Sequence, residues 1–81
     1  MHYVYILKST KDPSRYYVGL TIDLDRRLEQ YNDPNEPTWT KRFMPWELGA
    51  YLVFEEESKA RNFEVYLKSH SGKAFLKKHL I

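Results

Sequence analysis

The segment HYVYILK, residues 2 to 8, is apolar on both faces, because Val4 and Ile6 alternate with Tyr3, Tyr5 and Leu7. Successive side chains of a strand point to opposite faces, so a strand of this kind must be covered above and below. It is therefore expected at the centre of a sheet. At 81 residues the chain is one domain, 1–81, and folding buries only about 60% of its unfolded surface. Large side chains must carry such a core, which gives the seven tyrosines a structural reason to be there. Cysteine is absent, which excludes disulfides and thiolate-held zinc.

Turn chemistry in STKDPS (9–14) joins this strand to a second, RYYVGL (15–20), as a hairpin. With Leu7 set opposite Arg15, Tyr5 falls opposite Tyr17 and Tyr3 opposite Gly19. Any even slip of that register keeps both phenols on one face. Gly19 inside a strand weakens it unless a close-approaching group needs the missing side chain. Residues 23 to 31 change to helical period, with Leu24, Leu28 and Tyr31 as the stripe and Asp23 or Thr21 as cap; Pro34 ends the helix. A proline-punctuated connection (33–46), with one helical turn around Trp39, leads to a third strand, ELGAYLVF (47–54). Ser58 is read as the cap of a helix running to Ser69 that buries Ala60, Phe63 and Leu67. A last helix from Ser71 buries Phe75, Leu76 and Leu80. The order β-β-α-β-α-α gives an α/β (α+β) fold: a small three-stranded, mainly antiparallel sheet flanked by helices.

The paired arginines separate on geometry. The stripe spans about 60° of the helix, Arg27 lies about 40° beyond Tyr31, and Arg26 is nearly opposite. Arg26 faces solvent. Arg27 flanks the core, either snorkelling or held as an anion receptor. On the second helix Glu64 sits at the stripe's edge. It is either the partner of Lys68 at i,i+4 or a carboxylate of the kind Mg²⁺ prefers.

Net charge is +2, and the chain from Lys68 onward holds Lys68, Lys73, Lys77 and Lys78 with no acid. This permits nucleic-acid binding without requiring it. His2, His70 and His79 are too scattered to read as a metal site. No apolar run approaches the roughly 18 residues of a membrane span. The amino terminus has no signal-peptide pattern, so a cytoplasmic setting is expected.

The sequence resembles the GIY-YIG nuclease superfamily. Tyr3-Val4-Tyr5 stands at its first motif and Tyr17-Val18-Gly19 at its second. Arg27 and Glu64 stand at its arginine and its metal-binding glutamate. The segments TKRFMPWEL and EVYLKSHSGKAFLKK are similar to small single-domain bacterial members. The resemblance implies a Mg²⁺- or Mn²⁺-dependent DNA endonuclease, acting on branched or damaged DNA in repair or recombination. Its implied catalytic residues are Tyr5, Tyr17, Arg27 and Glu64, with Glu64 on the metal, all meeting around a shared pocket. Tyr5 and Tyr17 position the attacking water, and a nearby cation lowers the pKa of whichever phenol serves as base. DNA contact is expected from Arg15, Lys41, Arg42, Lys68 and Lys73, with Trp39 available to stack, and specificity from DNA shape or a partner protein. Two positions depart from the family pattern: Tyr31 replaces a histidine, and no asparagine follows Asn62. The alternatives are a nucleic-acid-binding module without chemistry and a protein-interaction domain whose tyrosines are core.

Overall fold

The computed structural model describes residues 1–35 and 39–81; the Trp39 side chain, and with it the stacking expectation, lies outside the described residues. The elements are β1 (His2–Ser9), β2 (Tyr16–Thr21), α1 (Leu24–Tyr31), a 3-10 turn (Trp39–Phe43), β3 (Trp46–Phe54), α2 (Glu57–Lys68) and α3 (His70–His79). The strands form an antiparallel sheet in the order β2-β1-β3, with β1 central as its two-faced apolarity requires.

Each face of β1 has its own core. Val4 and Ile6 join Val18 against Ala60, Leu67 and Leu76 of α2 and α3. Tyr5 and Leu7 join Trp46 on the other face, against Tyr17, Leu24, Leu28, Tyr31, Phe43 and Met44. Val4 through Leu7 are at most 2% exposed. Each large side chain so buried contributes about 1.5–3 kcal/mol. That makes β1 the element the fold can least lose.

The hairpin register differs from expectation by two residues. Leu7 pairs with Tyr17, Tyr5 with Gly19 and Tyr3 with Thr21. The turn sets it: β1 runs on to Ser9, whose N–H donates to the Arg15 carbonyl at 3.1 Å. The Ser9 hydroxyl accepts from the Lys11 and Asp12 amides at 3.2 and 3.0 Å. The slip is even, so Tyr5 and Tyr17 stay on one face.

Asp23 caps α1, its carboxylate accepting from the Arg26 amide at 3.1 Å, while the Thr21 hydroxyl accepts from the Asp23 amide at 3.1 Å. The expected cap at Ser58 is wrong. Helix α2 begins at Glu57, two residues earlier than a cap at Ser58 would set it, with Glu56 at the cap position and no side-chain cap; an acid in the first turn suits the helix dipole instead. Ser69 serves as the cap one helix later, accepting from the Gly72 amide at 3.1 Å and donating to the Tyr66 carbonyl at 2.5 Å. A Cβ on Gly72 would lie 1.7 Å from that same carbonyl, so only glycine allows the α2–α3 junction to close. Phe75, expected in the core, is 36% exposed. It packs sideways on Tyr66 and His79, with ring centroids at 6.2 and 4.9 Å.

Candidate active site

Tyr5 lies across Gly19. A Cβ built on Gly19 would fall 2.2 Å from the Tyr5 hydroxyl oxygen, so the glycine leaves open the space the phenol occupies. The ring passes over edge strand β2 in the direction of Tyr31, which α1 supplies. The Tyr5 and Tyr31 hydroxyl oxygens are 3.5 Å apart, a long hydrogen bond. Tyr31 meets Tyr5 edge-on with centroids 6.2 Å apart, and Tyr17 at 5.2 Å. Trp46 backs Tyr31 at 6.0 Å. Three phenols from three elements thus form one cluster.

Helix α1 is fastened to the sheet by the residue that caps its C-terminus. Asn32 donates from Nδ2 to the Trp46 carbonyl at 2.9 Å and accepts the Trp46 amide on Oδ1 at 2.6 Å. Trp46 itself is 3% exposed, and its indole N–H reaches the Thr40 carbonyl at 2.9 Å. Arg27 and Tyr31 lie on the helix held by this tie.

Arg26 is exposed and Arg27 half-buried, as the helical angles predict. Glu64 has a side chain 16% exposed, with Lys68 Nζ at 3.4 Å, so the i,i+4 pair is formed. Burial raises the pKa of Tyr5. The Tyr31 hydrogen bond and the Arg27 charge pull it down, and the Tyr17 and Glu64 charges push it up again. Burial wins. Arg27 acts on Tyr5 in the expected direction but is outweighed by burial. Tyr31 is also raised, by burial first, then by the Tyr5 hydrogen bond and the Tyr5 and Tyr17 charges. Both phenols are neutral near pH 7 and have protons to donate. That Arg27 and Glu64 both act on Tyr5 puts the guanidinium and the carboxylate within electrostatic reach of one hydroxyl, although they come from helices on opposite faces of the sheet.

Tyr17 and Arg27 each border a depression in the surface. Tyr16, Tyr17, Val18, Leu67, Lys68 and Lys73 line a groove of about 220 Å³ beside β2, while Arg27 opens onto a hollow of about 350 Å³ with Thr21, Asp23, Arg26 and Gln30. The first has room for several waters at about 30 Å³ each. The expected DNA-contacting residues divide in the same way. Lys68 and Lys73 are exposed on the Tyr17 groove. Arg15 sits at the hairpin turn, 3.7 Å from Asp12 and 4.8 Å above the Phe43 ring. Arg42 lines a hollow there with Lys11 and Asp12, and Lys41 is exposed on the 3-10 turn. Among the described residues no three His, Cys, Asp or Glu side chains gather in a way that could hold a metal, so Glu64 offers a single carboxylate.

Tyr31, a stripe residue that stands where the family has a histidine and can replace it as a hydrogen-bonding group, is not among the catalytic residues the resemblance implies. Its place on the stripe four residues after Arg27 was the available signal that it faces Tyr5. Asn32 gave none, because its partner is a backbone.

The family model of the GIY-YIG catalytic domain matches residues 1–78. A UPF0213 protein of Clostridium perfringens is 37% identical over 68 residues, covering 84% of this chain and 71% of the relative. The structure-specific endonuclease subunit slx1 of Talaromyces stipitatus is 38% identical over 65 residues, covering 74% of this chain but 17% of that protein. The solution NMR structure of a UPF0213 protein from Bacillus halodurans superposes with a TM-score of 0.56 at 30% identity, over 95% of this chain and 82% of the other.

Proposed function

Because this chain belongs to the GIY-YIG family, whose domain is that of a nuclease, we propose that it is a divalent-metal-dependent endonuclease hydrolysing phosphodiesters in branched or damaged DNA. The observation that carries this reading is the convergence of Tyr5, Tyr17 and Tyr31 in one cluster, with the Arg27 and Glu64 charges both acting on Tyr5. The 38% identical relative called a structure-specific endonuclease subunit supports branched DNA as the substrate class. A cytoplasmic setting, a single domain over 1–81 and a specificity-lending partner protein belong to the same proposal.

In this reading Arg27 opposes the charge that grows on the phosphoryl oxygens during attack, an effect of about 10²–10³ in rate. Tyr5, kept protonated by burial, donates a hydrogen bond and fixes the phosphate or the attacking water. Tyr17, less buried on the edge strand, takes the water's proton as the phenolate, once its own proton has passed to solvent. Tyr31 aligns both phenols and fills the place of the family's histidine as a hydrogen-bonding group rather than a base. The half-buried Glu64 carboxylate fits one Mg²⁺ or Mn²⁺ ligand of the type that leaves the remaining positions to water and phosphate. When bound, the ion supplies Lewis-acid charge at the leaving oxygen. Lys68 and Lys73 beside Tyr17 carry the strand being cut, and Arg15, Lys41 and Arg42 carry a more distant stretch of backbone.

One observation favours the second reading, a binding module without chemistry. The Lys68 ammonium, 3.4 Å from Glu64, already partners the carboxylate a metal would need. Incubation with linear, flapped and four-way DNA, in Mg²⁺ and in EDTA, separates the two. Nicking that needs the metal and is lost in Glu64→Gln is expected. Binding without cleavage across the panel, or cleavage indifferent to EDTA, overturns the nuclease reading.

A further inference from the structure

The two edges of the sheet are managed differently. Strand β2 is short and flanked by Lys68 and Lys73. Strand β3 is nine residues long, and from Leu48 to Phe54 it contains no charge and no proline. Edge strands are usually blunted by charge, proline or a bulge, since their free N–H and C=O groups template pairing; the register of β3 against β1 shifts between Leu48 and Ala50, so its unbroken part runs from Ala50 to Phe54. On β3, Leu48, Tyr51 and Val53 are 37, 51 and 47% exposed.

The direction of its backbone groups follows from the ladder. Ser9 donates its N–H toward β2, so its β3 partner Trp46 turns its own groups outward, and Asn32 meets both of them there. By alternation Tyr5 and Tyr3 also face β2, so their partners Tyr51 and Val53 present N–H and C=O to the outside. Among the described residues no strand lies beyond them. Asn32 is thus an amide already docked at the first step of a ladder whose later steps are open.

We propose that the outer edge of β3 receives an extended segment of a partner protein, alternating in apolar residues and carrying Lys or Arg at both ends. The ends are specified by charge. The apolar stretch is bounded by Glu47 on one side and by Glu55, Glu56 and Glu57 on the other, all exposed, of which Glu57 is paired with Arg61 at 3.3 Å. The same charges weigh against a second copy of this chain in the register that overlaps the whole apolar stretch. Antiparallel self-pairing centred on Tyr51 sets Glu47 opposite the copy's Glu55. The twofold axis repeats the clash, and like charges directly opposite destabilise a pair. A basic-ended strand turns the same positions into attractions and gains specificity from them.

The probe is a blocked peptide matching β3 in length, with alternating Val and Thr and two lysines at each end, followed by fluorescence anisotropy and amide exchange. Binding should slow exchange at Tyr51 and Val53, and replacing the lysines by glutamates should weaken it about tenfold or more. Val53→Pro removes an outward donor while leaving the β1 ladder whole, and should weaken binding to the same degree with DNA nicking unchanged. If that variant does not fold, Val53→Lys keeps the backbone and repels the lysine-ended peptide. No binding by wild-type protein, equal binding of the two peptides, or binding indifferent to both variants overturns the proposal. A wild-type dimer in sedimentation that Val53→Pro or Val53→Lys converts to monomer assigns the edge to a second copy and overturns it too. The peptide-binding, exchange and sedimentation readouts are independent of whether the protein cleaves DNA.

Discussion

The Tyr5 hydroxyl occupies the space a side chain on Gly19 would fill, with only 2.2 Å between that oxygen and a Cβ at position 19. Tyr5 is 2% exposed and wedged in its core, so it cannot swing clear as a surface side chain would. Gly19→Ala should destabilise the protein by about 1–3 kcal/mol, the usual cost of overpacking. It should also move the phenol off Tyr31 and lower nicking by more than the lost stability explains. Thermal unfolding with cleavage measured well below the midpoint checks this. Cleavage equal to wild type would show that the position of the Tyr5 hydroxyl is irrelevant to the chemistry.

Tyr5 and Tyr31 both have pKa values raised by burial, and the sign of the linkage follows. The folded state holds these phenols neutral, so their contribution is intact below the ordinary value of about 10. It falls as pH rises from there through the raised folded values. The denaturation midpoint should drop above about pH 10, and more shallowly in Tyr31→Phe, which has one fewer phenol to ionise. At neutral pH the same variant should cost only about 0.5–1.5 kcal/mol, one hydrogen bond. An alkaline limb equally steep in both proteins would show that Tyr31 ionises in the fold as it does in the unfolded chain.

The element order and the centrality of β1 were legible because one strand apolar on both faces admits one position in a small sheet. Arg27 was separable from Arg26 because helical angle is arithmetic. The hairpin register was not legible, since it depends on the Ser9 hydroxyl gathering the turn amides, a side-chain-to-backbone contact that composition does not encode. Ser58 misled because a good capping residue one step inside a helix looks the same in sequence as one at its start. Phe75 misled because an apolar side chain can be satisfied by the neighbouring aromatics Phe63, Tyr66 and His79 without entering the core. Of the candidate site, the shared face of Tyr5 and Tyr17 was legible from strand alternation, whereas the groove beside Tyr17 and the hollow at Arg27 depend on packing that the sequence does not spell out.

Asn32 replaces a strand partner for Trp46, and its removal strands two backbone groups. Leaving part-buried polar groups unpaired costs about 1–3 kcal/mol. Asn32→Ala should therefore lower the unfolding midpoint and loosen α1 from the sheet. Asn32→Asp keeps the acceptor for the Trp46 amide but loses the donor to its carbonyl, so it should fall between the two. Amide exchange at Trp46 reads the effect directly: protection unchanged in Asn32→Ala would mean the tie is not what holds this end of α1.

Arg26 and Arg27 stand side by side yet differ in environment, exposed against half-buried, and only Arg27 acts on Tyr5. Arg26→Ala should leave stability within about 0.5 kcal/mol, as for an ordinary surface position, and leave cleavage unchanged. Arg27→Ala should cut cleavage by about 10²–10³. That loss alone does not identify the guanidinium, because the arginine stem also packs at the rim of the core. Arg27→Met retains an apolar stem and removes the charge, so it should restore stability without restoring cleavage. Arg27→Lys keeps a charge but loses the planar two-point fork that suits a phosphate, and should recover only part of the rate. Cleavage by Arg27→Met at the wild-type rate would assign Arg27 to packing alone and leave the phosphate without its clamp.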